Sequence, residues 1–183
     1  MPEILIVFAS SHGHTGRIAA RIADRLEADG AHVDLVPVEQ AAGVEPLDYD
    51  AVLVGGSIHM ARHSGELADW ALHHARRLNA RPAAFFSVCL ALADGTDESR
   101  RHAEDWIADF EEDTGWTPRR RAAFAGALQY SRYDAPTRLF MRLMMARGGH
   151  PTDIRTDVDY TDWDAVDAFA DSVAALLEPA PAA

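Results

Sequence analysis

Hydroxyls, imidazoles and glycines crowd into Ser10-Ser11-His12-Gly13-His14-Thr15-Gly16. Successive backbone N–H groups, the hydroxyls of Ser10, Ser11 and Thr15, and the start of a helix together form a cradle for a phosphate. The segment is not a Walker A loop, which ends in Gly-Lys-Ser/Thr, because the chain has no lysine. Nor does it have the G-x-G-x-x-G spacing of a dinucleotide site. A plain turn with a helix N-cap is the competing reading, and the density of hydroxyls favours phosphate.

Two further segments carry chemistry of the same kind. Gly55-Gly56-Ser57-Ile58-His59-Met60-Ala61-Arg62-His63 opens on a glycine pair, which suits close backbone approach and positive φ under a flat ligand. Ser87-Val88-Cys89-Leu90-Ala91-Leu92-Ala93-Asp94-Gly95 ends a long apolar run. A phosphate site with two loops that flank a ring system describes a mononucleotide with a large planar head.

Metal and nucleophilic chemistry are weaker candidates. His12 and His14 flank one glycine, and His59 and His63 lie four apart, but no carboxylate accompanies them and the only thiol is elsewhere. No metal is expected. Cys89, on an apolar strand, reads as an inert buried thiol. No G-x-S-x-G elbow or Ser/His/Asp signature is present.

These loops need a scaffold that brings them to one place. Ile4-Leu5-Ile6-Val7-Phe8, Ala51-Val52-Leu53-Val54 and Ala83 to Leu90 are short apolar runs of the kind buried on both faces of a parallel sheet. His32–Val38 alternates imperfectly and contains Pro37, which suits a strand near an edge. Ala122 to Gly126 makes a fifth strand. Between them, Ile18, Ile22 and Leu26 are spaced for a helix that stops at Gly30. Leu67, Trp70, Ala71, His74 and Leu78 mark a helix over 65–80, Trp106, Ile107 and Phe110 one over 97–113, and Val166 to Leu177 one over 163–177.

Alternating strands and helices predict an α/β domain with right-handed crossovers. Five strands fit the doubly wound order 2-1-3-4-5, whose ligand crevice opens at the carboxyl ends of strands 1 and 3. Residues 1–178 are expected to form this one domain and 179–183 a frayed tail. Residues 127–160 are too long for a simple connection and read as an inserted functional element.

Composition narrows the function. The chain has 183 residues, 48% hydrophobic and 25% charged, which is the profile of a globular domain with a sizeable core. Its one cysteine excludes an internal disulfide, and no apolar run reaches the roughly 18 residues of a membrane span. With no secretory signal at the start, a cytoplasmic protein is expected. A net charge of −12 repels phosphate backbones, so no nucleic-acid partner is expected. All 17 basic residues are arginine, and seven of them, with only Asp134 opposed, fall between 119 and 147. That stretch is about +6 and the remainder about −18. Two readings stay open: contact with something anionic, or solvated arginines that offset an acidic body.

Inside the insertion Leu139, Phe140, Leu143 and Met144 share one helical face beside Arg138 and Arg142. Such a helix over 138–147 suits either an anionic membrane surface or packing on its own domain. Tyr130, Arg132 and Tyr133 just before it suit a carboxylated aromatic ligand.

With these residues in view, the chain resembles the flavodoxin-like family of menaquinone-dependent protoporphyrinogen IX dehydrogenases over nearly its whole length. The resemblance rests on the Phe8-to-Thr15 loop, Gly56-Ser57-Ile58, Arg77-Leu78-Asn79, Phe86-Ser87-Val88, and above all Ala125-Gly126-Ala127-Leu128-Gln129-Tyr130-Ser131-Arg132-Tyr133. Gly148-Gly149 and Tyr160-Thr161-Asp162-Trp163 complete it. Ala61 stands where the family usually has a glycine, and the Asp134-Ala135-Pro136-Thr137 stretch is less basic than the family's insertion. The resemblance implies non-covalent FMN, with its phosphate on Ser10, Ser11, His12, Gly13, His14 and Thr15. Its isoalloxazine would lie between Gly56, Ser57, Ile58 and His59 on one side and Ser87, Val88, Cys89, Leu90, Ala91 and Leu92 on the other. The implied reaction oxidises a tetrapyrrole, protoporphyrinogen IX, with a quinone as acceptor, in haem synthesis and near the inner membrane. The flavin performs the redox step, so no catalytic acid or base is expected. Arg62, Tyr130 and Arg132 are the expected substrate contacts. The alternatives are a flavodoxin-type electron carrier, which an acidic surface also suits, or a quinone reductase with another substrate.

Overall fold

The computed structural model describes residues 1–132, 135–136, 139, 142 and 157–177. The strands β1 (Glu3–Ala9), β2 (His32–Pro37), β3 (Ala51–Ser57), β4 (Ala83–Cys89) and β5 (Arg120–Ala125) form one parallel sheet in the order β2-β1-β3-β4-β5. The expected doubly wound order is therefore observed.

The apolar runs of β1, β3 and β4 have no polar face because helices cover both sides of the sheet. Ile4 and Ile6 of β1 pack with Phe86 and Phe124 beneath α1 (His14–Ala28) and α4 (Trp163–Ala174). Leu5 and Val7, one residue out of phase, join Val52, Val54 and Phe85 beneath α2 (Gly65–Asn79) and α3 (Asp97–Thr114). This period-2 division assigns Ile4, Ile6 and Phe8 to one core and Leu5, Val7 and Ala9 to the other.

Helix boundaries follow local chemistry. Ser64, Thr96 and Asp162 cap α2, α3 and α4 by accepting from the N–H groups of Leu67, Ser99 and Ala165. Gly115 ends α3 in the left-handed conformation at φ 66°. The α1–α4 pair is registered on its outer face by two forks one turn apart. Arg21 meets Asp167 at 2.7 and 2.6 Å, and Arg25 meets Asp171 at 2.7 and 3.2 Å.

Several elements differ from the sequence expectation, β3 among them, which runs on through Gly55 and Gly56 to Ser57. β5 starts at Arg120 rather than Ala122, because an edge strand can bear exposed charges. Helix α4 ends at Ala174, and the chain tightens into 310-type bonds from Leu176 to Val173 and Leu177 to Ala174. The inserted stretch opens and closes with strands of its own: β6 (Ala127–Leu128) pairs antiparallel with β7 (Val158–Asp159). Tyr160 N–H to the Gly126 carbonyl at 3.2 Å and Ser131 N–H to Asp157 Oδ1 at 3.0 Å reinforce this neck.

The expected tail at 179–183 and most of the 138–147 helix lie outside the described residues, as do Tyr133, Arg138, Phe140, Leu143 and Met144. Leu139 and Arg142, within that stretch, are exposed. Among the described residues no helix is long and apolar enough to cross a membrane.

Candidate functional site

Parallel strands deliver all three loops to one edge. Ala9 of β1 pairs with Gly56 of β3, and Gly56 with Ser87 of β4, so the following loops leave side by side. Loop one (residues 10–13) lies between β1 and α1, loop two (residues 58–64) between β3 and α2, and loop three (residues 90–96) between β4 and α3.

Loop one ends at Gly13, whose φ of 87° needs glycine. Helix α1 has no side-chain cap and no acidic residue in its first turn. Its N-terminal partial positive charge is thus unopposed by any neighbouring carboxylate of that turn. Ser10 Oγ accepts from Gly16 N–H at 3.4 Å, folding the loop over the helix start. Ser11 is exposed and His12 and Gly13 half-buried, whereas Thr15 and His14 are buried. The Thr161 hydroxyl donates to the Ala125 carbonyl at 2.8 Å, so its oxygen accepts from His14 Nε2 at 2.7 Å. His14 is therefore the Nε2–H tautomer. Burial lowers its pKa, opposed by Asp159, whose carboxylate is 3.6 Å from Nε2. His14 serves this loop by tying it to the return of the insertion.

Loop two differs from the expectation in its glycines. Neither Gly55 nor Gly56 has positive φ. A Cβ on Gly55 would sit 1.9 Å from Phe86 Cζ, and one on Gly56 2.6 Å from Leu67 Cδ2. Core packing claims these positions, not backbone freedom. The positive φ angles belong instead to Met60 (50°) and Ala61 (63°), at the centre of a tight turn in which His59 and Arg62 exchange backbone hydrogen bonds of 2.9 and 3.2 Å. Both central residues at positive φ is the type I′ pattern, normally Asn-Gly. Ser57 and Ile58 are half-buried and His59 exposed. The His59 ring lies 5.7 Å from that of His12, so loops one and two meet through these imidazoles. Partial desolvation and His12 lower the His59 pKa.

Loop three offers less than its nine-residue motif promised. Ser87, Val88 and Cys89 are buried in β4, and only Leu90, Ala91 and Leu92 present surface. A buried side chain reaches a ligand only through its neighbours. Ser87 Oγ is 2.9 Å from His63 Nε2. Burial pushes the Cys89 thiol up to about 11, which leaves it protonated and unreactive at neutral pH.

The expected substrate contacts are dispersed. Arg62 lines a groove of about 420 Å³ between the start of α2 and α3, with Asp109, Glu112 and Asp113 on the same walls. Tyr130 is fully buried and packs with Leu128 against Leu90, Val158 and Tyr160, joining the insertion neck to loop three. Arg132 ends the 310 turn Tyr130–Arg132. Among the described residues no three His, Cys, Asp or Glu side chains converge as metal ligands. Sequence reasoning assigned no role to Thr161 or to the Met60–Ala61 turn. The Tyr160-Thr161-Asp162-Trp163 motif flagged the first, and the one signal for the second was Ala61 standing where the family usually has a glycine.

An uncapped helix start beside a hydroxyl-rich loop, next to two loops on the same sheet edge, fits a phosphorylated planar cofactor. The match to a family model, flavodoxin domain, over residues 5–155 agrees. Solved structures share the fold: oxidised flavodoxin 1 from Bacillus cereus superposes with a TM-score of 0.55 at 12% identity, covering 94% of this chain and 97% of that one. A short-chain flavodoxin associated with a bacterial microcompartment reaches 0.61 at 12%, covering 97% and 100%. The chain is a flavodoxin-domain protein. It is also similar to the protoporphyrinogen IX dehydrogenase [quinone] of Escherichia coli strain K12, at 34% identity over 96% of this chain and 97% of that protein. The namesake from Leishmania major matches at 34% over 96% of this chain and 76% of its own length. The chain belongs to this family within the flavodoxin-domain proteins.

Proposed function

We propose that the protein is an FMN-dependent dehydrogenase that oxidises protoporphyrinogen IX and delivers the electrons to a quinone. The observation that carries this reading is the 34% likeness to the Escherichia coli dehydrogenase, which runs almost end to end on both chains. Among this chain's residues, Ser10, Ser11, His12, Gly13 and Thr15 bind the phosphate at the start of α1. Gly56, Ser57, Ile58 and His59 border the isoalloxazine on one side, and Leu90, Ala91 and Leu92 on the other. Ser87, Val88 and Cys89 support that second wall from within β4. The bound flavin supplies the chemistry, accepting reducing equivalents from the tetrapyrrole and passing them to the quinone.

The protein's own share is to position, to shield and to tune. His14 holds loop one against Thr161 at 2.7 Å. Arg62 and Arg132 offer guanidinium groups to substrate carboxylates. A lipid-soluble quinone places the working enzyme beside the inner membrane, with the arginine-bearing stretch 138–147 as the peripheral contact.

The test is direct. Purified protein loaded with FMN is incubated anaerobically with protoporphyrinogen IX and a menaquinone analogue. Porphyrin fluorescence should rise well above the uncatalysed rate and require both FMN and quinone. A protein that binds FMN yet gives no such rise is not this dehydrogenase.

A further inference from the structure

Loop two stands on two feet, and both rest on consecutive residues of β4. Ahead of the turn, Ile58 N–H donates to the Val88 carbonyl at 2.9 Å. Behind it, His63 Nε2 is 2.9 Å from Ser87 Oγ. Between the feet lie Met60 and Ala61 at φ 50° and 63°. L-residues with a side chain rarely adopt this region and hold it only when the surroundings enforce it. Among the described residues nothing above the turn does so, and Met60 is 96% exposed. The restraint comes from below.

His63 is built as that restraint. Its side chain is buried, and its ring meets Phe85 of β4 and Phe110 of α3 edge-on, at centroid separations of 5.2 and 5.0 Å. A Cβ on Gly56 would come within 3.2 Å of His63 Cδ2, so the end of β3 also closes on the ring. One imidazole thus touches β3, β4 and α3, and it sits one residue beyond the turn. Ser87 is fully buried, so its hydroxyl serves His63 rather than a ligand at the surface.

We propose that His63 is a positioning residue, which through Ser87 and the end of β3 holds the strained Met60–Ala61 turn in the shape that forms one wall of the flavin crevice. The inference rests on the flavin reading above, and it concerns the ring-binding wall alone. The phosphate loop has its own support in the His14–Thr161 bond. Releasing His63 should let the turn relax, weakening contact with the isoalloxazine and leaving the phosphate contribution intact.

Riboflavin, which lacks the phosphate, separates the two contributions. FMN and riboflavin are titrated by fluorescence quenching into the apoprotein of the wild type, Ser87→Ala and His63→Phe, with and without Ala61→Gly. Ser87→Ala removes one hydroxyl and keeps the fold testable if His63→Phe proves unstable. Each single variant is expected to bind both flavins about tenfold more weakly, with the FMN-to-riboflavin affinity ratio unchanged. Ala61→Gly relieves the strain that the peg resists, so adding it should recover most of the loss. Ala61→Gly also stabilises the wild type, so the recovery is read against its effect on wild-type stability and affinity. A merely general loss of stability would be repaired no further than that background gain. Unchanged affinities, a loss confined to FMN, or a loss that Ala61→Gly leaves untouched would each overturn the role of His63. A wild type that binds neither flavin would instead remove the flavin reading and the inference with it.

Discussion

His14 at the first position of α1 donates from Nε2 to Thr161 Oγ1 across 147 residues of sequence, at 2.7 Å. Thr161 passes the connection on to the Ala125 carbonyl at the end of β5. Loop one, the last strand of the sheet and the return of the insertion are thereby one hydrogen-bonded unit. Thr161→Val should leave a buried imidazole N–H and a carbonyl unsatisfied, at a cost of about 1–3 kcal/mol. Urea denaturation of the apoprotein measures it, and a variant as stable as the wild type would show that the bond contributes nothing.

Gly13→Ala should weaken FMN and spare riboflavin. The residue stands at φ 87°, where an alanine is strained, and the role proposed for the loop it shapes is to bind the phosphate. Equal losses for the two flavins would contradict the assignment of loop one.

Ala61→Gly in the wild-type background should raise stability by about 1 kcal/mol, since φ 63° is costly to alanine and free to glycine. Chemical denaturation reads the gain directly. No gain would mean that the unfolded chain's added entropy cancels the relief.

Gly55→Ala should be among the most damaging single-methyl additions. Its Cβ would fall 1.9 Å from the Phe86 ring, in a core that continues through Phe124 and Phe169. Overpacking of this kind costs about 1–3 kcal/mol or more. Poor expression or a large drop in Tm is expected, partly recovered by Phe86→Leu.

Acid should unfold the protein partly through His63. Burial depresses its pKa from 6.5 to about 4, so the unfolded chain binds the proton first. The stability that the neutral ring contributes is complete above pH 6.5 and is lost as the pH falls toward 4. The loss amounts to roughly 2–4 kcal/mol over that window. His14, lowered in the same direction by burial, adds to it. His63→Phe should flatten the pH dependence between 6.5 and 4, and a slope identical to the wild type's would remove His63 from the account.

Much of the scaffold was legible because its cause is local. β1, β3 and β4 read as buried strands because helices cover both faces, and Leu67, Trp70, Ala71, His74 and Leu78 mark α2 because one stripe faces the core. The misreadings share a non-local cause. Gly55-Gly56 announces that a Cβ is unwelcome, but whether a ligand or a neighbour takes the space depends on Phe86 and Leu67, which the letters do not place. Ser87 reads as a flavin contact near the end of its strand until His63 is found beside it. Arg120 and Arg121 hide the start of β5 behind charge, and the Met60–Ala61 turn lacks the Asn-Gly signature its backbone would normally need. Two-residue strands such as β6 and β7, paired across the whole insertion, leave almost no local trace.

That same short pairing has an evolutionary consequence. Ala127 faces Asp159 and Leu128 faces Val158, so the excursion between them departs and rejoins at a single doorway beside loop three. Closing a longer excursion through a fixed doorway costs entropy only logarithmically in its length. The body is therefore free to host cassettes of differing size there without re-registering any of the five central strands. Partner choice can diversify at that port while the cofactor chamber stays the same.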